Sequence, residues 1–287
     1  MRTLDLEALH IFRTVAQQGG ITRAAAKLNR VQSNVTTRVK QLEERLGTQL
    51  FVRERRKLTL SPDGQRLLAY ADEMLRLASE AQAAMKSGRP RGMFRIGTLE
   101  STAAARLPAI LARYHRDHPE VQIELVSGTS GALVARLHAF EIEAAFVAEP
   151  FTKAGLEMEP AFDEELVVIA PKKSARIDRA ADIGRRTVIA FAAGCSYRRR
   201  LEDWLGAEGV VASQVMEFGS YHAIIACVSA GAGIAIVPRS VLKLSDAGRQ
   251  VEVGRLPART ANARTMLVWR PGHRSAALEA LRAELAR

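Results

Sequence analysis

The run Gln32-Ser33-Asn34-Val35-Thr36-Thr37-Arg38-Val39-Lys40 sets short polar and cationic side chains around apolar residues. Val35, Val39 and Leu42 step by four and three, so they share one helix face. Gln32, Ser33, Asn34, Thr36, Thr37, Arg38 and Lys40 then fall largely on the other. Gln and Asn pair with adenine edges, Arg pairs with guanine, and a Thr methyl packs on thymine. A helix N-terminus adds N–H groups that suit phosphate. A plain solvated helix surface has the same composition, and what weighs against it lies nearby. Arg53, Arg55, Arg56 and Lys57 form a dense cationic connection between Leu50–Val52 and Leu58–Leu60. These cations either contact a polyanion or serve as solubilising charge.

A second group of residues suits a small ligand. Glu100-Ser101-Thr102, Gly128-Thr129-Ser130, Gly194-Cys195-Ser196-Tyr197 and Gly219-Ser220-Tyr221-His222 each follow an apolar run of strand type. Open α/β sheets bind ligands beyond the C-terminal ends of their strands. Hydroxyls at helix starts suit a carboxylate, although Ser, Thr and Gly also stand there simply as caps and turns. Glu100, beside the first cluster, either points to solvent or faces the cleft. In the cleft it would repel a diacid and pair with an ammonium group. A small zwitterion or amine-bearing acid is therefore expected, with a neutral or aromatic acid as the alternative. Cys195 with His222 resembles a nucleophile and base only loosely, and no catalytic residues are assigned. A redox role for Cys195 or Cys227 stays open. The six histidines show no metal-ligand spacing, and no strand precedes a complete dinucleotide glycine motif, so neither metal nor cofactor is expected.

The elements that carry these groups follow from periodicity. A helix is expected from about Asp5 to Gln18, a short one over Ile21 to Leu28, and a third from Gln32 to Leu46, stopped by Gly47. Two short strands flank the basic connection. Ser61-Pro62-Asp63-Gly64 opens a long helix to about Lys86, in which Leu68, Ala71, Leu75, Ala78 and Met85 step as a short heptad seam. Ser87 to Gly92 reads as a linker. Beyond it, candidate strands alternate with helical stretches twice over, which implies two α/β lobes on a largely parallel sheet with a cleft between them.

Charge is distributed to match. Residues 1–62 carry 12 Lys/Arg against 5 Asp/Glu, whereas residues 63–287 carry 30 against 26. An excess concentrated in the shorter segment is what phosphate contact requires. No apolar run approaches the roughly 20 residues that span a bilayer. The N-terminus lacks a secretory core, and two cysteines make no disulfide framework, so a cytoplasmic location is expected.

The motifs also carry a resemblance. Ala8-Leu9, Ile11-Phe12 and Val15-Ala16, then Ala24-Ala25 with Leu28, and Gln32-Ser33 with Val35-Thr36 stand in a specific order. Leu42-Glu43-Glu44 with Leu46-Gly47, Leu50-Phe51 with Arg53, and Leu58-Thr59 with Gly64 complete the set. This series resembles the winged helix-turn-helix and linker helix of LysR-type transcriptional regulators. The resemblance implies a winged reader over 1–60, a dimerising linker helix and hinge over 61–92, and an effector-binding domain over 93–287. That domain is expected to be built like periplasmic solute-binding proteins, with lobe one at about 93–160 and 268–287 and lobe two at about 161–267. It places Gln32, Ser33, Asn34, Thr36, Thr37 and Arg38 in the major groove, and Arg53, Arg55, Arg56 and Lys57 on the backbone or in a minor groove. The effector would meet Glu100, Ser101, Thr102, Thr129, Ser130, Cys195, Ser196, Tyr197 and Ser220. Implied partners are a pseudo-palindromic duplex, a small-molecule effector, further copies of the chain up to a homotetramer, and RNA polymerase if the protein activates. No membrane partner is expected. Val31 stands where the family often has Ser or Thr, and Ser33-Asn34 where it often has Ala or Pro-Ala. A DNA-architectural protein with a C-terminal oligomerisation domain is the alternative.

Overall fold

The computed structural model describes residues 4–54, 57–86, 89–172, 174–175, 177–183, 187–244 and 246–287. Two compact units divide at Arg89/Pro90.

The first unit packs helices α1 (Leu6–Gln18), α2 (Ile21–Lys27) and α3 (Gln32–Leu46) against a hairpin of β1 (Phe51–Glu54) and β2 (Lys57–Leu60), followed by α4 (Pro62–Lys86). Asp5 caps α1 by accepting the Glu7 N–H at 2.8 Å. Asn29, at φ 52°, makes the left-handed turn between α2 and α3, and Gly47, at φ 66°, ends α3. Leu9, Phe12, Leu42, Leu50 and Ala71 fill one core, and Ile11, Val15, Ala24, Ala25, Val35 and Val39 fill the other. The hairpin runs further into the charged segment than expected, pairing Glu54 with Lys57, because ladder hydrogen bonds need only backbone. Ser61 Oγ accepts the Gly64 N–H at 2.9 Å and donates to the Gln49 carbonyl at 2.6 Å, fixing where α4 starts. A Cβ on Gly64 would collide with the Leu50 carbonyl, so only glycine fits that crossing.

The expected seam of α4 needs correction. Ala71 is fully buried, and Leu68 and Leu75 pack on the same cluster, against Leu9, Phe12 and Leu42 of their own chain. The three-and-four spacing is the signature of any packed helix face, whether the neighbour is α1 or another copy. Among the described side chains of α4, Tyr70 and Leu77, seven residues apart, are instead the exposed large apolar residues, and Ala81 is exposed one turn further on. The Met85 side chain lies outside the described residues.

The second unit runs β3 (Gly92–Thr98), α5 (Glu100–Ala105), α6 (Leu107–Asp117), β4 (Val121–Ser127), α7 (Ser130–His138), β5 (Ala144–Ala148) and β6 (Glu157–Pro171). Then come β7 (Val188–Ala190), α8 (Ser196–Ala207), β8 (Val215–Glu217), α9 (Tyr221–Ser229), β9 (Ala235–Pro238) and α10 (Arg239–Leu242). It closes with β10 (Val251–Gly254), α11 (Ala258–Ala261), β11 (Asn262–Trp269) and α12 (Ala276–Leu285). The main sheet has the order β10-β6-β11-β5-β3-β4, with β9 also on β6, while β7 and β8 pair separately.

Strands β3–β4, β3–β5 and β7–β8 are parallel. The sheet is nonetheless mixed rather than largely parallel. Strand β11 returns antiparallel between β5 and β6, and β6 pairs antiparallel with β9 and β10. Alternation of strand and helix reveals crossovers but not a returning strand. Strand β6 also begins nine residues before Leu166, in the charged run Glu157 to Glu165. It serves both lobes, so the expected lobe boundary at 160/161 falls inside one continuous strand. Phe94, Ile96, Tyr114, Phe146, Leu267 and Leu281 form the core of the first lobe. A larger core runs from Leu133 and Val147 through Val167 and Ile169 to Trp204, Ile224 and Val237.

Candidate functional sites

The polar face of α3 rests on the inward anchors Val35, Val39 and Leu42, all buried. Gln32, Ser33, Asn34 and Thr37 are exposed, as are Lys40 and Gln41. Thr36 is half-buried and returns its hydroxyl to the Gln32 carbonyl at 2.9 Å. No side chain caps α3, because Val31 occupies the N-cap. An external acceptor can therefore meet the first N–H groups of the helix. Arg38 is half-buried, with Nη2 3.6 Å from Glu7 Oε2. Glu7 Oε1 also accepts a hydrogen bond from Arg30. Sequence reasoning missed Glu7 and Arg30; an acid in the first turn of α1 reads simply as a partner for the helix dipole. Arg55 and Arg56, with the side chains of Arg53 and Lys57, lie outside the described residues.

The second site lies between the lobes of the second unit. A tight crevice of ≈ 20 Å³, room for about one water molecule, opens where β3, β5 and β7 end. Glu100, Ser101, Thr129, Ser130, Cys195, Ser196 and Tyr197 line it together. Gly128 and Tyr221, members of the expected clusters, complete the lining with Leu99, Ala148 and Phe191, which were not anticipated. Phe191 and Tyr221 meet edge to face with centroids 4.8 Å apart, so the wall is more aromatic than a row of helix-start hydroxyls suggests. An aromatic directly after a strand, or directly after a capping Ser, was the available signal.

Thr102 is buried within α5, outside this lining. Ser220 is used as the cap of α9, accepting the His222 N–H at 3.2 Å. Its neighbour Gly219 lines an adjoining ≈ 450 Å³ cleft with Glu100, Thr129 and Phe191, within the size range of ligand pockets.

Several hydroxyls expected to face a ligand are engaged within the chain. Ser130 Oγ accepts the Ala148 N–H at 3.1 Å. Ser196 Oγ lies 2.9 Å from Ser130 Oγ and 2.6 Å from the Ala148 carbonyl. The starts of α7 and α8, one from each lobe, are thereby tied to the end of β5. Thr129 caps α7 through the Ala132 N–H at 3.3 Å. The Gly131 N–H reaches the Gly194 carbonyl at 3.3 Å.

Glu100 crosses the cleft as well. Burial raises its carboxyl above the ordinary value, partly offset by the Tyr221 backbone N–H and by His222. Its Oε2 is buried and makes no hydrogen bond. Burial likewise pushes up the phenols of Tyr197 and Tyr221. The buried Tyr197 hydroxyl makes no hydrogen bond of ordinary geometry, although Thr265 and Ser101 lie beside it. Burial raises the Cys195 thiol, against the lowering effect of the Arg198 and Tyr197 N–H groups. At neutral pH this favours thiol over thiolate. Cys195 and Cys227 are both free.

Chemically, the first site offers hydrogen-bonding side chains and helix N–H groups on a convex surface. The second offers an apolar, aromatic-walled cleft with a carboxyl and a phenol at its edge. No group of three or more His, Cys, Asp or Glu among the described residues is arranged to hold a metal, and no helix among them is long and apolar enough to cross a membrane.

Comparison with known proteins bears on both sites. The family model described as "Bacterial regulatory helix-turn-helix protein, lysR family" matches residues 6–65, and "LysR substrate binding domain" matches residues 87–287. The HTH-type transcriptional regulator YusT of Bacillus subtilis is 40% identical over 263 residues, 91% of this chain and 88% of that protein. The regulator GltR of the same organism is 40% identical over 240 residues, 83% of this chain and 81% of its own. Among solved structures, a full-length OxyR from Pseudomonas aeruginosa that carries a cysteine-to-aspartate substitution superposes with a TM-score of 0.75 at 22% identity, covering 99% of this chain and 95% of that one. Full-length CbnR complexed with its target DNA gives 0.70 at 22% identity, covering 99% of each chain.

Proposed function

The chain belongs to the LysR family of transcriptional regulators, and from that premise we propose how its two sites divide the work. It is a DNA-binding transcription regulator with a substrate-binding-like effector domain, which disfavours a purely architectural role. Under the proposal, Gln32, Ser33, Asn34 and Thr37 read base edges in the major groove. The uncapped start of α3 takes a backbone phosphate, and the Arg53–Lys57 segment adds sequence-independent contacts. The effector sits between the lobes, in the cleft lined by Glu100, Thr129 and Phe191, with Tyr197 and Tyr221 in the tight crevice beside it.

The observation that carries the choice of effector is Glu100 itself. Its carboxyl already occupies the N–H at the start of α9, so a ligand carboxylate cannot take that seat. Its Oε2 lacks a donor, and that calls for an ammonium or other N–H group. A small amine-bearing molecule with an apolar or aromatic body against Phe191 and Tyr221 fits best. The protein regulates without catalysis, in the cytoplasm. It also joins copies into dimers and tetramers on a pseudo-palindromic site, and brings RNA polymerase in where the gene is activated.

A thermal-shift screen of amines, amino acids and carboxylates tests the effector class. A ligand at 100 times its dissociation constant adds about 2.7 kcal/mol. Stabilisation only by uncharged or purely anionic compounds refutes the amine. Footprinting with the hit then reads whether it alters the contacted bases.

A further inference from the structure

Within the DNA-reading unit, Glu7 holds two arginines that belong to different elements. Arg30 follows the turn at Asn29 and donates to Glu7 Oε1, while Arg38, two turns into α3, lies 3.6 Å from Oε2. The side chains of Arg30, Arg38 and Glu7 are 35%, 37% and 45% exposed, so all three are reachable from outside. Asp5 already caps α1, leaving the Glu7 carboxylate free to point away from its own helix start. The surroundings are otherwise cationic: Arg13, Arg30 and Lys27 together depress the neighbouring His10, adding to the larger effect of its burial.

A carboxylate with two guanidinium groups, at the edge of a helix expected to enter a groove, has the charge and donor set of an arginine–phosphate contact. We propose that Glu7 is a specificity-determining residue of the DNA reader, an internal stand-in for phosphate that keeps Arg30 and Arg38 from binding any duplex they meet. This rests on α3 being the groove-facing helix.

The physical reason is a difference between the two kinds of complex. On a matching site, base contacts from Gln32, Ser33 and Asn34 fix the depth and register of α3, and each arginine stays where that pose puts it. On an arbitrary duplex the reader slides, and a cation released from Glu7 finds a phosphate in nearly every pose. Holding the two arginines therefore weakens arbitrary binding more than matched binding. The exposed pairs contribute little to folding, so removing Glu7 leaves the unit folded.

The test uses the full chain, a duplex selected by the wild-type protein from a random pool, and a scrambled duplex of the same length. Glu7→Gln is expected to tighten binding to the scrambled duplex by about 3- to 20-fold. The slope of log affinity against log salt there should steepen by about one to two, and the selected duplex should change by less than about threefold. Arg30→Gln in the Glu7→Gln background should remove a large part of the gain. Unchanged scrambled binding and slope, or equal shifts on both duplexes, overturns the proposal. Gln32→Ala separates the two levels. If it loses nothing on the selected duplex, the groove-facing reading fails; if it loses affinity there while Glu7→Gln changes nothing, only the role of Glu7 fails. Thermal melting of each variant confirms that the comparison is between folded proteins.

Discussion

Ser130 and Ser196 make a quantitative prediction possible because their two hydroxyl protons, with the Ala148 N–H, supply three hydrogen bonds. The arrangement that uses every short distance runs from the Ala148 N–H to Ser130 Oγ (3.1 Å), from Ser130 to Ser196 Oγ (2.9 Å), and from Ser196 to the Ala148 carbonyl (2.6 Å). Ser130 Oγ also lies 3.2 Å from that carbonyl. In Ser196→Ala, Ser130 can turn its proton to the Ala148 carbonyl, so no buried group is orphaned and the cost is about 1 kcal/mol, one net hydrogen bond. In Ser130→Ala, the buried Ala148 N–H loses its acceptor, with no alternative within reach, and the cost rises to about 2–3 kcal/mol. In the double variant both Ala148 groups are left unpaired, so its loss should be at least that of Ser130→Ala. Urea unfolding at equilibrium, with m-values checked for constancy, measures the order. The two hydroxyls come from opposite lobes, so Ser196→Ala should also speed amide exchange at the start of α8. A loss for Ser196→Ala equal to or above that for Ser130→Ala refutes the proton arrangement and with it the claim that Ala148 is the anchored group.

Three further outcomes are expected. Gln32→Ala should cost about 1–3 kcal/mol on a selected duplex and little on a scrambled one, as read by anisotropy titration. Leu77→Glu should dissociate dimers in sedimentation without lowering the melting temperature of the reader, whereas Leu75→Glu should unfold it, since Leu75 packs on the core of its own chain. Glu100 binds its proton more tightly folded than unfolded, because burial raises its carboxyl above 4.5. Its contribution to stability is therefore present below that value and lost as pH rises through the folded value. Glu100→Gln should accordingly raise the melting temperature relative to wild type at about pH 8 and lose that advantage at about pH 4. A constant difference across this range would show that the carboxyl is not titrating in a buried setting.

The parts of the fold that were legible are those where one residue pattern has one physical cause. Val35, Val39 and Leu42 with Gly47 gave α3 its face and its end, and Ser61-Pro62 gave α4 its start. In each case local backbone chemistry and burial agree. The same periodic evidence misassigned the α4 seam, because Leu68, Ala71 and Leu75 are spaced alike whether they meet α1 or another chain. Charged Glu157 to Glu165 hid half of β6, since a strand at the junction of lobes need not alternate in polarity. At the cleft, helix-start hydroxyls were correctly placed along the chain, but nothing in their order says that Ser130 and Ser196 face each other. That pairing, the reach of Glu100 to Tyr221 and the grip of Glu7 on Arg30 and Arg38 are relations across space between residues far apart in sequence.

The position of β11 has a consequence for how the protein is made. It lies between β5 and β6, and together with α12 it completes the core around Phe94 and Phe146. The reader unit is complete once Arg89 is synthesised. The sheet beside β5 stays open until Trp269 emerges, roughly 10–40 s later at about 5–20 residues per second. For that interval the nascent chain carries a finished DNA reader attached to an unfinished sensor, with the apolar edge of Ala144–Ala148 exposed. A premature stop just before β11 would release a reader that no effector can govern.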